Sequence, residues 1–202
     1  MKKIMFNDKY GLTKTVLKGR KTMTRRAVPM HDYKYGFQVR YDTETNQCCV
    51  CDGSFIVERS RYSVGEVVAI AQSYNKIGLS PSMYCEVPNE YGGTRDGSFD
   101  ELPGWENKMF VKAELMPHHI KITNIRVEHL QDISDEDCSK ESIRKWDHNN
   151  NPFPPAYDFI NSPQSSYKTP REAFAELIDK VSGKGTWESN PLVWVYEFEL
   201  VD

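Results

Sequence analysis

The longest uninterrupted aliphatic run in the sequence is Val67-Val68-Ala69-Ile70-Ala71, only five residues. A membrane-spanning helix needs about 20 apolar residues in a row, and the N-terminus lacks the apolar stretch of a secretory signal. The sequence therefore predicts a cytoplasmic chain that makes no use of a membrane. A short all-apolar run suits a strand buried on both faces. The remaining apolar residues also fall in short stretches, divided by Gly, Pro, Asn and Asp clusters. With 39% hydrophobic and 12% aromatic residues in 202, the chain can bury one real core built mainly from short strands.

Local patterns place the elements. Leu12, Val16 and Leu17 have helical spacing, and Gly19 stands where a C-terminal cap belongs, so a short helix is expected from about Gly11 to Lys18. Three strands are expected at Phe37–Tyr41, Gln47–Cys51 and Phe55–Glu58, then one from Val67 to Tyr74. Residues 75–107 show no period and read as a long excursion. Met109–Leu115 and Ile120–Val127 read as strands on either side of Pro117. Ser134, with Asp137 three residues on and Ile133 able to staple onto Cys138, opens a helix. Residues 147–168, rich in Asn and Pro, form another insertion. Thr169-Pro170-Arg171-Glu172 is the clearest helix start in the chain, with Phe174, Leu177, Ile178 and Val181 as its apolar stripe and Gly183 as its stop. Leu192–Val201 alternates as a long final strand. The sum is an α+β chain of roughly six to eight strands with short flanking helices, and short strands separated by turns favour a small barrel.

Cys48, Cys49, Cys51, Cys85 and Cys138 make an odd count in a chain large enough to fold without disulfides, so reduced thiols are expected. Zinc sites usually draw ligand pairs from two separated segments. No second pair follows the Cys48–Cys51 cluster, and adjacent His118 and His119 would face opposite ways in a strand. Neither a metal nor a cofactor is expected. No Walker loop, GxGxxG, HExxH or GxSxG is present.

The formal net charge is only −3, yet residues 1–26 hold nine basic side chains against a single acid, Asp8. That asymmetry marks a local site for an anion or an electron-rich ligand. Its densest part is Gly19-Arg20-Lys21-Thr22-Met23-Thr24-Arg25-Arg26, read as a loop beyond a helix C-terminus, where the helix dipole already favours cations. Lys21 and Thr24 are three apart, so one turn of chain would bring amine and hydroxyl to one side. A threonine hydroxyl needs a base, and a lysine can serve where burial and cationic neighbours such as Arg20, Arg25 and Arg26 lower its pKa. Alternatively, the basic side chains bind phosphate and both threonines make turn hydrogen bonds. Glu141, three residues after Cys138, is aimed toward the core, an unusual direction for an acid unless it bends out at the rim or satisfies a buried arginine. Tyr74, Tyr84 and Trp105 are available to stack on a base, or else anchor the 75–107 excursion.

The order Gly19-Arg-Lys-Thr-Met-Thr-Arg-Arg26, Val64-Gly-Glu-Val-Val68, Ile122-Thr123 with Leu130-Gln-Asp-Ile-Ser134 and the helix to Glu141, then the Val193–Phe198 strand, resembles the ASCH domains, relatives of the RNA-binding PUA domain. The resemblance implies a single domain over 1–202, a PUA-like small mixed β-barrel with insertions at about 30–62, 75–107 and 147–168, as in larger prokaryotic or phage-type members. Within that family the chain is similar to the amidohydrolases that remove acetate from N4-acetylcytidine. The similarity implies a catalytic Thr24 nucleophile, Lys21 as its base and Glu141 as proton relay. The basic run and the stacking ring give Arg20, Arg25, Arg26 and Tyr74 as expected ligand-binding residues, and the similarity implies a modified nucleoside or RNA as partner. A non-catalytic RNA- or nucleotide-binding module using the same basic loop is the alternative. Ser142 departs from the family pattern, which often has glycine after the glutamate.

Overall fold

The computed structural model describes residues 1–29, 36–146, 155–163 and 166–201. In chain order the strands are β1 (Lys3–Ile4), β2 (Met23–Ala27), β3 (Phe37–Asp42), β4 (Gln47–Asp52), β5 (Phe55–Arg59), β6 (Val67–Ile70), β7 (Tyr84–Pro88), β8 (Thr94–Ser98), β9 (His119–His129), β10 (Arg144–Trp146), β11 (Ala156–Asp158) and β12 (Leu192–Leu200). The helices are α1 (Leu12–Leu17), α2 (Asp135–Lys140), α3 (Pro170–Ser182) and α4 (Thr186–Ser189). The chain is thus mixed α and β, mostly sheet with few helices. Among the described residues every sheet has an open strand order, and no closed barrel is found among them. No described helix is long and apolar enough to cross a membrane.

The chain divides into two compact units. The larger comprises Asn7–Glu66 and Lys121–Leu200. In it, β12 lies between β9 and β2, and β2 pairs antiparallel with β12, Val195 opposite Arg25 and Tyr196 opposite Thr24. α3 begins as its sequence demands. Thr169 accepts from the Glu172 N–H, Glu172 reaches back to the Thr169 N–H, and Pro170 takes the first helical position. Ala173, Phe174 and Leu177 are buried beneath it. α2 begins at Ser134, whose hydroxyl accepts from the Asp137 N–H at 3.1 Å, and Ile133 and Cys138 are both fully buried. The three strands read between residues 37 and 59 form an antiparallel sheet in the order β3, β4, β5. Cys48, Cys49 and Cys51 lie buried as free thiols in its central strand. Most of the Asn- and Pro-rich stretch expected after residue 147 lies outside the described residues.

The smaller unit holds Met1–Phe6, Val67–Ile120 and the C-terminal Val201. β1 and β6 pair in parallel, Lys3 opposite Ala69. The aliphatic run Val67–Ala71 is buried from Val68 to Ala71, as its composition requires. Residues 75–107, expected to lack regular structure, contain a hairpin of β7 and β8. Residues 109–115, expected as a strand, instead make turns of 3-10 helix. There Lys3 Nζ donates to the carbonyls of Met109 at 2.7 Å and Val111 at 2.6 Å, so two of these backbone acceptors are satisfied by a side chain rather than by a strand partner.

Candidate active site

The basic run leaves α1 through a tight reversal. Gly19 has φ of +67°, a left-handed conformation that glycine adopts without a steric penalty. The N–H groups of Arg20 and Lys21 both donate to the Thr15 carbonyl, at 2.9 and 3.1 Å, and the Thr22 N–H donates to the Lys140 carbonyl at 3.1 Å. These three amides are therefore engaged by backbone and are not free to bind a ligand. The sequence reading made the whole run a loop, but its second half is strand β2. Charge concealed the strand, because Arg25 and Arg26 do not read as apolar partners for the final strand.

Successive strand residues face opposite ways, and here the alternation sorts the candidates. Met23 and Arg25 share one face, Arg25 Nη1 donating to Met23 Sδ at 3.2 Å, and Lys21 follows the same parity just before the strand. On that face Lys21 Nζ forms an ion pair with Glu141 Oε2 and lies 3.4 Å from the Glu141 carbonyl. Lys21 is 2% exposed and Glu141 4%. Burial pulls the Lys21 amine below the ordinary lysine value. Glu141 opposes that shift through its charge and hydrogen bond, and the Arg26 and Arg25 charges add to it.

Glu141 is shared. Its Oε1 accepts from Arg25 Nη1 at 3.1 Å. The Arg25 fork continues to Glu128 Oε1, at 2.6 Å from Nη2 and 3.0 Å from Nε, and to Asp137 Oδ2 at 3.1 Å from Nη2. Arg126 closes the arrangement from β9, through Nε to Glu128 Oε2 at 3.0 Å and through Nη2 to Asp137 Oδ2. The Phe174 ring lies 5.8 Å from the Arg25 guanidinium. Glu128, Asp137 and Arg126 were not among the residues expected from sequence, though their spacing held a signal. Arg126 and Glu128 are two apart on a strand, and Asp137 precedes Glu141 by one helical turn.

Thr24 has the other parity and shares its face with Tyr196, its opposite number on β12. Tyr196 packs edge-on against Tyr62 at 5.2 Å, and its hydroxyl accepts from the Arg61 N–H at 3.0 Å. Thr24 is buried, and among the described residues its hydroxyl makes no hydrogen bond. The structure thus joins Lys21 to Glu141 directly and does not bring the Thr24 hydroxyl into that pair. Arg26 is half-buried and Arg20 exposed. Arg25, expected to bind ligand, is spent on three carboxylates inside the protein. Tyr74, also expected to bind ligand, is 1% exposed in the core of the smaller unit. Its ring meets Phe99 edge-on at 5.4 Å, and its hydroxyl accepts from the Lys112 N–H at 2.8 Å. That placement is the anchoring role, since no face of the ring is open to a base.

Ser142 has φ of +87°, which explains why a glycine would suit this position. The serine is held there by a hydroxyl–hydroxyl hydrogen bond of 2.8 Å to Thr15. Among the described residues no group of His, Cys, Asp and Glu is arranged to hold a metal ion. No known protein family, curated protein or solved structure matches the chain.

Proposed function

We propose that the chain is an amidohydrolase for a modified nucleoside such as N4-acetylcytidine, with Lys21 and Glu141 as its proton-transfer pair, on a PUA-like scaffold. The observation that carries this reading is the buried pair itself. Two ionisable groups far apart in sequence are drawn together at a site where burial disfavours the charged amine, which is how a lysine becomes a base near neutral pH. Thr24 is the nucleophile in this reading, because the residue is 5% exposed and its hydroxyl holds no partner among the described residues. Because Thr24 and Lys21 lie on opposite strand faces, the hydroxyl proton passes to Lys21 through an intervening water as Oγ bonds to the acetyl carbon. The bond from that carbon to N4 then breaks as N4 takes a proton relayed through Glu141. Water hydrolyses the acetyl ester, releasing acetate and regenerating Thr24.

A donor for the oxyanion is available beside Thr24. The Phe198 N–H donates to the Thr22 carbonyl and the Val28 N–H to the Leu192 carbonyl, each at 2.9 Å. That parity assigns the even residues of β2 to the ladder with β12 and turns the Arg25 N–H off the open edge of the sheet. The amide following the nucleophile is a common oxyanion donor.

Incubation of purified protein with N4-acetylcytidine, followed by chromatography for cytidine and acetate, tests the reading. Release expected from the wild type should fall by roughly 100-fold or more in Lys21→Met and Glu141→Gln. A wild-type rate in either variant overturns the assignment. Thr24→Ala separates the nucleophiles: loss of turnover supports an acyl-threonine, whereas retained turnover means that water attacks directly.

A second reading, a binding-only module for RNA or nucleotides, has one observation in its favour. Arg20, Arg144, Lys145 and half-exposed Trp146 line a concavity of about 340 Å³. The ends of α1 and α2 nearest this concavity are C-terminal, and carbonyl-rich helix ends favour cations over an anionic ligand. Arg144 is further neutralised by Asp158, with two contacts of 2.7 Å. Affinity for labelled RNA that falls steeply between two salt concentrations, without deacetylation, would favour the module.

A further inference from the structure

We propose that Arg25 is a positioning residue for Glu141, and that by sharing the Glu141 carboxylate it lets Lys21 lose its proton without leaving a buried carboxylate uncompensated. The inference rests on the reading of Lys21 as a base, and it gives Arg25 a role other than the ligand binding expected of it.

A buried lysine paired with a single glutamate is a poor base. Removing its proton strands the carboxylate in a medium where an unpaired charge costs several kcal/mol, so the pair holds its proton. Glu141 is built differently. One carboxylate oxygen meets Lys21 and the other meets Arg25 Nη1 at 3.1 Å, and a guanidinium stays charged at any relevant pH. With Lys21 neutral, Glu141 keeps a hydrogen-bonded counter-charge.

Arg25 is itself fixed. Its side chain is 1% exposed, Glu128 and Asp137 hold the far side of the fork, and Arg126 holds those two carboxylates in turn. Arg25 thus cannot swing away when Lys21 changes charge.

The charged groups around Lys21 come from several elements. Arg25 and Arg26 lie on its own segment, and Asp137, Lys140 and Glu141 belong to α2 and its cap. β9 supplies Arg126 and Glu128, and β12 supplies Glu197, which pairs with Arg126. α3 presents the Phe174 ring to Arg25. Lys140 is turned to Glu136 at 3.3 Å and Asp137 at 3.5 Å. Of these groups, Arg25 is the one cation besides Lys21 with a described bond to the Glu141 carboxylate.

The test follows the Lys21 amine directly, by NMR titration of protein labelled with ¹³C at lysine Cε, the Lys21 signal being assigned by its loss in Lys21→Met. The wild-type midpoint is expected below that of an ordinary lysine. In Arg25→Gln it should rise by about one to three pH units, and in Arg25→Lys by less. Deacetylation by Arg25→Gln should show the acid limb of its kcat/KM profile displaced upward by the same amount, with KM little changed.

A folded Arg25→Gln protein with an unmoved Lys21 midpoint overturns the proposal. Should Arg25→Gln fail to fold, Glu128→Gln serves instead, since it removes a competitor for Arg25 and should lower the midpoint; an unmoved midpoint there is equally fatal. If no protein deacetylates, the wild type included, the amidohydrolase reading falls while the titration still decides the role of Arg25.

Discussion

Ser142 shows how one residue can be both strained and retained. A non-glycine at positive φ costs on the order of 1 kcal/mol, and the buried hydroxyl bond to Thr15 returns a similar amount. Ser142→Gly should therefore change stability by less than about 0.5 kcal/mol, relieving one cost and losing one bond. Ser142→Ala keeps the strain and loses the bond, so it should destabilise by about 1–2 kcal/mol. Urea denaturation of the two variants separates these effects. Lys21 makes a second prediction, in pH. Its folded pKa is lowered, chiefly by burial, so between that value and the unfolded value near 10.5 the native protein binds fewer protons than the unfolded chain. Within that window the Lys21 contribution to stability increases as pH rises. Denaturant midpoints measured from pH 7 to 10 should show this slope flattened in Lys21→Met. At this scale the sequence revealed the inward Glu141 through its spacing from Cys138, and of the alternatives left open for it, satisfying a buried arginine describes a contact it makes. It did not reveal Arg25 as that arginine, because the pairing joins positions 116 residues apart.

Elements were legible where their causes are local. The N-caps at Ser134 and Thr169, the second closed into a capping box by Glu172, were readable because both partners lie within four residues, and each opens the expected helix. Thr169→Ala should cost about 1 kcal/mol, read as a lower thermal midpoint, with the deacetylation profile unchanged because the cap touches none of Lys21, Glu141 or Arg25. Elements were missed where the cause is distant. Residues 109–115 have the apolar content of a strand, but Lys3 reaches across more than a hundred positions to take two of their carbonyls. β2 was missed for the reverse reason. Its charged residues look solvated in isolation, and only the register with β12 and the acids of β9 and α2 turn Arg25 inward. The hairpin of β7 and β8 lies in a stretch with no apolar alternation, so nothing local announced it.

Over the whole molecule, burial keeps most of the thiols away from solvent. Cys48 is pushed up to about 11 and Cys138 to about 12, in each case chiefly by burial. Cys85 alone is incompletely buried. Reaction of the native protein with a thiol reagent at pH 8 should therefore modify no more than one cysteine promptly, and denaturant should release all five; rapid modification of Cys138 would contradict this. The long-range architecture was the part least legible in sequence, because which strand neighbours which is decided by packing rather than by propensity.

The pairing of β2 with β12 carries a last implication, one of timing. The segment holding Lys21 and Arg25 leaves the ribosome before its partners, since the strand that fixes its register ends at Leu200 and its carboxylate partners emerge from residue 128 onward. During synthesis these two cations must therefore remain hydrated and uncommitted until carboxylates more than a hundred residues further on have been made. A nascent chain interrupted before residue 192 would carry every proposed catalytic side chain and still be inert.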